Sequence, residues 1–85
     1  MEITEITEKL RTIVTPYVED KSLLEKVTGE TDLLNDLKIN SAHMVDIILD
    51  AEEVFDIDID DESAEKMLTV GEAVRIISER INAKP

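Results

Sequence analysis

Few side chains in this sequence could take part in covalent chemistry. There is no cysteine, so a thiolate nucleophile, a thiolate metal site and a disulfide are all excluded. His43 is the only histidine, and no nucleophile stands at a defined spacing from it. Ser41 lies two residues earlier, where a helical pattern begins, and on its own it is an ordinary helix-start serine. We therefore predict that the chain is not an enzyme.

A second candidate for chemistry is the run of alternating aspartates at residues 56–60. It is similar to the opening of an EF-hand loop, which next requires a glycine and, at its twelfth position, a glutamate. This sequence has Asp61 and Met67 at those two places. We predict no specific metal site, although a calcium-binding helical protein and loose divalent-ion binding remain alternatives.

The charge of the chain limits its partners. Its net charge is -12, which opposes binding to nucleic acids and to anionic membranes and favours partners with basic patches. Between Lys38 and Lys66 there is no Lys or Arg, whereas ten carboxylates fall there. The apolar runs are too short for membrane insertion, and the acidic N-terminus does not resemble a signal peptide. We expect a monomeric cytoplasmic protein.

The first elements that must position Ser41 are a helix and a long loop. Ile3, Ile6, Leu10 and Val14 recur at helical spacing, and Pro16 should end this helix by moving Thr15 out of the helical region. Residues 17–40 predict a long connection with a helical turn at residues 22–27. Four apolar side chains should fix this connection to the core: Leu33, Leu34, Leu37 and Ile39.

The second half of the chain predicts three more helices. One begins at Asn40 or Ser41, and an acidic connector follows it with Ile57 and Ile59 pointing inward. Asp60 or Asp61 can cap a short third helix that ends near Met67, with Ala64, Met67 and Leu68 facing the core. Thr69 and Glu72 match a capping box for the last helix, and residues 82–85 should fray. The sequence thus predicts an all-α, four-helix bundle, with three longer helices and one short one, in a single domain over residues 1–85.

Three segments of the sequence resemble the acyl carrier protein family. The segment 32–42 (DLLNDLKINSA) is similar to that family's attachment region, in which Asp-Leu-Gly precedes an Asp-Ser-Leu motif that opens the second helix. Segment 45–55 is similar to its acidic second helix, and segment 59–70 to its short third helix and the start of the fourth. The resemblance covers roughly residues 32–81.

The resemblance implies that Ser41 carries 4′-phosphopantetheine, transferred from coenzyme A by a phosphopantetheinyl transferase, with an acyl or aminoacyl group on its thiol. A helix N-terminus suits a phosphodiester because free N–H groups and the positive end of the helix dipole meet there. The flanking motif departs from the family pattern: Asn40 replaces Asp, Ala42 replaces Leu, and Lys38 replaces Gly. These differences suggest a specialised carrier, with the alternative that the same fold serves as an unmodified acidic docking or assembly module.

Two further surfaces follow from the second helix. Exposed apolar residues among carboxylates on its outer side suggest a docking surface for acyl-loading and acyl-transfer enzymes, and protonation of His43 could tune that docking. The residues of this acidic face are Val45, Asp46, Leu49, Asp50, Glu52, Glu53 and Asp56. The inner side belongs to the core and is also the candidate cargo lining: Ile47, Ile48, Ala51, Phe55, Ile59, Met67 and Ile77.

Overall fold

The computed structural model describes residues 2–83, and within them the apolar periodicity produces four α-helices. These are α1 (Ile3–Val14), α2 (Met44–Phe55), α3 (Asp61–Glu65) and α4 (Val70–Asn82). Three 3₁₀ segments lie at Thr15–Tyr17, Lys21–Lys26 and Ser41–His43. The predicted all-α bundle, with a long first connection and a short third helix, is confirmed.

The core is formed by the inner stripes of the three longer helices, with α1 packed against both α2 and α4. It is built from aliphatic side chains and a single aromatic ring, Phe55. The largest side chains that are fully buried are Ile6, Leu10, Val18, Leu33, Leu37, Ile47, Met67 and Ile77. Two of these, Leu33 and Leu37, come from the long connection, which is therefore part of the core.

The end of α1 differs in one detail from the prediction. Helix α1 ends at Val14, as Pro16 predicts, but Thr15 keeps helical angles (φ -50°, ψ -46°). The expectation that Thr15 leaves the helical region was wrong. Its hydroxyl donates a hydrogen bond to the Arg11 carbonyl at 2.7 Å, and Pro16 occupies the first turn of a 3₁₀ segment, where its missing N–H costs no bond.

The long connection is fixed to the bundle by side chains and by backbone pairing. Leu33, Leu37 and Ile39 are buried and Leu34 is half-buried, as predicted. Asp32 forms an isolated antiparallel bridge with Thr69. In this bridge the Leu33 N–H donates to the Leu68 carbonyl at 2.9 Å, and the Val70 N–H donates to the Thr31 carbonyl at 2.9 Å. The segment before Ser41 is thereby held against the start of α4.

The start of α4 also touches this connection through two glycines. The Gly71 N–H donates to the Gly29 carbonyl at 2.8 Å. A Cβ atom built on Gly71 would lie 2.8 Å from the same carbonyl oxygen, whereas one on Gly29 would meet only the Gly71 Cα at 3.9 Å. Only Gly71 therefore requires the absence of a side chain.

The third helix is shorter than predicted, and one of its inward residues is misplaced. It ends at Glu65, after which Lys66 and Met67 make tight bonds to the carbonyls of Ser63 and Ala64. Side chains then alternate in the extended segment, so Met67 is buried and Leu68 is 52% exposed. The prediction that Leu68 faces the core was wrong, because its carbonyl is used in the bridge to the long connection.

The caps of the last two helices follow the predicted residues. Asp60 stands at the N-cap position of α3, but its side chain makes no capping hydrogen bond there and instead accepts from Arg80 on α4 at 2.8 Å. Thr69 caps α4, with its hydroxyl accepting from the Glu72 N–H at 3.1 Å. The other half of the predicted capping box is not formed within residues 2–83, because the Glu72 carboxylate accepts from Arg75 at 2.6 Å instead. Of the residues expected to fray, Asn82 is the last helical residue and residues 84–85 lie outside the described range.

Candidate functional site

Ser41 is the first residue of the 3₁₀ turn that leads into α2. Asn40 caps this turn: its side chain accepts from the Ala42 N–H at 2.9 Å, and its carbonyl accepts from the His43 N–H at 2.8 Å. Asn40, Ser41 and Ala42 are all exposed. Within residues 2–83 nothing hydrogen-bonds the Ser41 hydroxyl, so this group is open to a modifying enzyme.

The backbone at this turn has fewer free N–H groups for binding an anion than the sequence suggests. The N–H groups of Ala42, His43 and Met44 are all bonded, the last to the Ser41 carbonyl. The expectation that free amides would meet a phosphodiester here is therefore wrong for these three groups. The positive end of the α2 dipole remains available, but its effect on an exposed group is only about 0.3–1 kcal/mol.

Lys38 adopts a backbone conformation that favours glycine. Its φ angle is 55°, in the left-handed region, where an L-residue costs roughly 1–2 kcal/mol. The attachment motif described above has glycine at this place. The loop thus keeps the glycine-type geometry while presenting an exposed ammonium group three residues before Ser41.

A cavity of about 480 Å³ is lined by residues on both sides of Ser41 in the sequence, but not by Ser41 itself. Its walls come from the end of the first 3₁₀ segment and from the attachment loop, and they are formed by Pro16, Tyr17, Glu19, Lys38, Asn40 and His43. The rings of Tyr17 and His43 pack with their centroids 5.4 Å apart and their planes tilted by 50°. Sequence reasoning missed Tyr17, because no spacing connects it to residues so distant in the chain.

Tyr17 also joins the long connection to α2. Its hydroxyl donates a 2.9 Å hydrogen bond to the Asp50 carboxylate. This bond raises the pKa of Tyr17 above its ordinary value, and burial and the charges of Asp50 and Asp46 act in the same direction. The hydrogen bond to Asp50 therefore ties this wall of the cavity to α2.

The seven residues predicted as an acidic face fall into two groups. Val45 is 63% exposed and Leu49 is 56% exposed, and Asp46, Glu53 and Asp56 are exposed beside them. Asp50 and Glu52 are half-buried and have structural partners. Asp50 accepts from Tyr17, and Glu52 accepts from the Ile59 N–H at 2.8 Å. The exposed part of the acidic face is thus narrower than the sequence suggests.

The seven residues predicted as cargo lining lie together in the core. Six of them are buried, and Ile48 is half-buried and packed against the others. A groove of about 510 Å³ lies elsewhere, between α1, α4 and residues 27–29, with Ile3, Val70 and Val74 among its walls. None of the seven lines this groove.

Residues 2–83 contain neither a cluster of metal-ligating side chains nor a membrane-spanning helix. No group of three or more His, Cys, Asp or Glu side chains there could hold a metal ion. No helix in the same range is long and apolar enough to cross a membrane.

Comparison with known proteins relates the whole chain to carrier proteins. An acyl carrier protein of Picosynechococcus is 39% identical over 79 residues, 93% of this chain and 95% of the relative. One from Phenylobacterium zucineum is 37% identical over 81 residues, 95% of this chain and 100% of the relative. The solved acyl carrier protein of Enterococcus faecalis superposes with a TM-score of 0.77 at 30% identity, over 94% of this chain and 99% of that one. No family model matches the sequence.

Proposed function

Because the chain belongs to the acyl carrier protein family, we propose that it carries an acyl or aminoacyl group as a thioester on a 4′-phosphopantetheine arm attached to Ser41. The chain is a carrier protein rather than an enzyme. The observation that carries the attachment proposal is the exposed, unbonded Ser41 hydroxyl at the entry to α2, within the segment 32–42 that resembles the family's attachment region.

The residues around Ser41 fit such a group. The hydroxyl is accessible, and Asn40 fixes the turn that presents it. When bound, phosphopantetheine supplies the thiol that this cysteine-free chain lacks. The chain itself presents the attachment point, orients it at the start of α2 and provides the surfaces that partners bind.

The partners are expected to approach the exposed part of the acidic face. Val45 and Leu49 offer apolar contact area, and Asp46 and Glu53 surround them with negative charge. This arrangement fits a phosphopantetheinyl transferase and cytoplasmic acyl-loading and acyl-transfer enzymes with basic docking patches. An exposed ion pair contributes only about 0–1 kcal/mol, so each contact is weak and sensitive to salt.

The cargo is expected to find shelter in the core beside α2. Ala51 and Ile77 have no exposed surface and Ile47 has only 1%, so a bound chain would have to part side chains that are now in contact. Cores packed at native density do not yield space without rearrangement. Sheltering a long acyl chain therefore implies an opening of the bundle.

The second candidate function is an unmodified docking or assembly module. It is favoured by the departures from the attachment motif at Asn40, Ala42 and Lys38. In this case Ser41 would be an ordinary residue of a capped turn, and the acidic face would be the whole of the function.

The Ser41→Ala variant separates the two candidates. We expect it to lose all thioester-bound acyl label when incubated with coenzyme A, a broad-specificity transferase and an acyl-loading enzyme. Ser22→Ala is the control: Ser22 is also an exposed serine in the first turn of a 3₁₀ segment, although its hydroxyl donates to Asp20 at 2.6 Å. Acylation of Ser41→Ala at the level of Ser22→Ala would refute the carrier proposal, with circular dichroism confirming that both variants fold.

A further inference from the structure

We propose that Tyr17 is a positioning residue for the attachment reaction: it braces the turn Ser41–His43 so that Ser41 is presented to the transferase in one conformation. Tyr17 belongs to a different element, the 3₁₀ segment Thr15–Tyr17, and it acts on Ser41 through His43. This inference rests on the proposed attachment at Ser41 and adds to it a residue from outside the attachment segment.

The turn that carries Ser41 is an exposed arch between two points that are fixed in the core. Ile39 is buried on one side of the arch, and Met44 packs against the core on the other. The four residues between them, 40–43, are all exposed. A 3₁₀ turn also has poorer hydrogen-bond geometry than an α-helical turn. Burial and backbone bonding therefore hold the arch only weakly, and a side-chain contact to another element can decide its conformation.

Tyr17 contacts the arch and the body of α2 at the same time. Its ring packs against the ring of His43, with the centroids 5.4 Å apart and the planes tilted by 50°. This separation lies within the range of about 4.5–7 Å that favourable aromatic pairs show. Its hydroxyl donates to the Asp50 carboxylate at 2.9 Å. One side chain thus connects the arch to a point further along the helix.

The spacing of these two contacts gives the brace a direction. His43 precedes Asp50 by two helical turns, which is roughly 10 Å along the helix axis, so both residues lie on the same side of α2. A single contact would leave the arch free to turn about it. Two contacts from one side chain fix the orientation of the arch relative to the helix, and Ser41 with it.

A brace must itself be fixed, and Tyr17 is. Pro16 before it has a φ angle that its own ring restricts, and Val18 after it is only 1% exposed. The Val18 N–H donates to the Thr15 carbonyl at 3.2 Å, which closes the segment. Movement of the arch would therefore have to break its contact with Tyr17, because Tyr17 cannot follow it.

The expected consequence is an effect on KM. When a partner binds one conformation of a segment, the apparent affinity falls in proportion to the population of that conformation. Loss of the brace lowers this population in the free protein but leaves the bound complex unchanged. The KM of the transferase for this chain should therefore rise while kcat stays the same.

The test is the steady-state kinetics of a broad-specificity phosphopantetheinyl transferase with saturating coenzyme A. Tyr17→Leu keeps an apolar side chain and removes both contacts. We expect it to raise KM by about twofold to tenfold, the change that corresponds to the loss of one aromatic pair, with kcat unchanged. Tyr17→Phe loses only the bond to Asp50, so it should show a smaller rise, and it keeps the test open if Tyr17→Leu does not fold.

Two further variants separate positioning from stability. Because Tyr17 acts through His43, Tyr17→Leu should add no further rise in a His43→Ala background. Ser63→Ala is the matched control, since it removes, without a change in net charge, a hydroxyl that also links two elements by accepting from Arg80 at 2.7 Å. We expect its KM to equal that of the wild type. Urea unfolding establishes that each variant is folded under the assay conditions.

Each result decides the proposal. A wild-type KM in both Tyr17 variants, or an equal rise in Ser63→Ala, would overturn it. A loss confined to kcat, or an undiminished effect of Tyr17→Leu in the His43→Ala background, would overturn it too. If the wild type is modified and KM does not depend on Tyr17, this inference alone fails. If the wild type is not modified, the proposed attachment fails and this inference fails with it.

Discussion

Ser41 is an ordinary residue by type, and the attachment role that we propose for it rests on its setting. Serine is a common residue at the start of a helix, and here it is exposed and its hydroxyl has no partner within residues 2–83. Two preceding residues shape the backbone: Asn40 caps the turn, and Lys38, three residues before Ser41, bends the chain into it. The chemistry of the site therefore depends on residues that do not react.

Lys38 offers a direct stability prediction at this scale. Lys38→Gly should raise the free energy of unfolding by about 0.5–1 kcal/mol, because relief of roughly 1–2 kcal/mol of left-handed strain exceeds the added entropy of an unfolded glycine. Urea unfolding measures this change. Lys38→Gln removes the charge but keeps the backbone strain, so it should leave the free energy of unfolding unchanged. Equal stabilisation in both variants would show that the lost charge, and not the relieved strain, is the cause.

At the scale of elements, the long first connection is the part that positions the site. Asp32 organises its central turn: its carboxylate accepts from the N–H groups of Leu34 and Asn35, each at 2.8 Å. These bonds, that of Asn35 first, hold the pKa of Asp32 below its ordinary value against the opposing effect of burial. The turn then delivers Leu37 and Ile39 to the core just before Ser41.

The lowered pKa of Asp32 predicts a loss of stability in acid. A carboxyl whose pKa is lower in the folded state binds fewer protons there, so its contribution is complete above the unfolded pKa and disappears as pH falls, from about pH 4 downward. Asp32→Asn keeps an acceptor without a charge. We expect the wild type to lose more stability than this variant between pH 5 and 3 in urea unfolding, and equal losses would contradict the role of Asp32.

The contact between the two glycines gives a second prediction for this connection. Gly71→Ala should lower the free energy of unfolding by about 1–3 kcal/mol, because the new methyl group would lie 2.8 Å from the Gly29 carbonyl oxygen. Gly29→Ala is the matched control and should be neutral or stabilising by up to about 1 kcal/mol. Thermal unfolding of both variants is the measurement, and similar losses in the two would show that the contact is not tight.

The sequence predicts these elements well where the pattern is local. The spacing of apolar residues locates the helices. Thr69 is identified as a cap because Glu72 follows it three residues later at the start of an apolar pattern. Leu68 was misassigned because a helical pattern was continued through a segment that is extended by pairing with Leu33, far away in the chain. Tyr17 was missed at the site for the same reason, since its partner Asp50 lies on a different element.

At the scale of the whole molecule, charge determines what the protein can bind. The net charge of -12 falls most heavily on the second half of the chain, and the exposed Val45 and Leu49 lie within it. A basic partner would be attracted at long range and then held by apolar contact. Asp50 and Glu52 add to the field, although their carboxylates also serve the fold.

A charge reversal tests this docking proposal. Asp46→Lys should raise the transferase KM for this chain by up to about 30-fold, since it removes one exposed ion pair and adds a repulsion of similar size, each ~1 kcal/mol at most. The increase should shrink as salt rises, because screening weakens both the original attraction and the new repulsion. Glu8→Lys on α1 makes the same change in net charge at another exposed residue and should have no effect. An equal rise in KM for both variants would show that the transferase responds to the net charge of the chain and not to a defined docking face.

The most direct test of the central claim is intact mass with and without a broad-specificity phosphopantetheinyl transferase and coenzyme A, followed by fragmentation to locate the added group. We expect one phosphopantetheinyl group per chain, located on Ser41 and absent from Ser41→Ala. No gain with several transferases, or a gain on another serine, would contradict it. The docking module would then be the function that the acidic face supports.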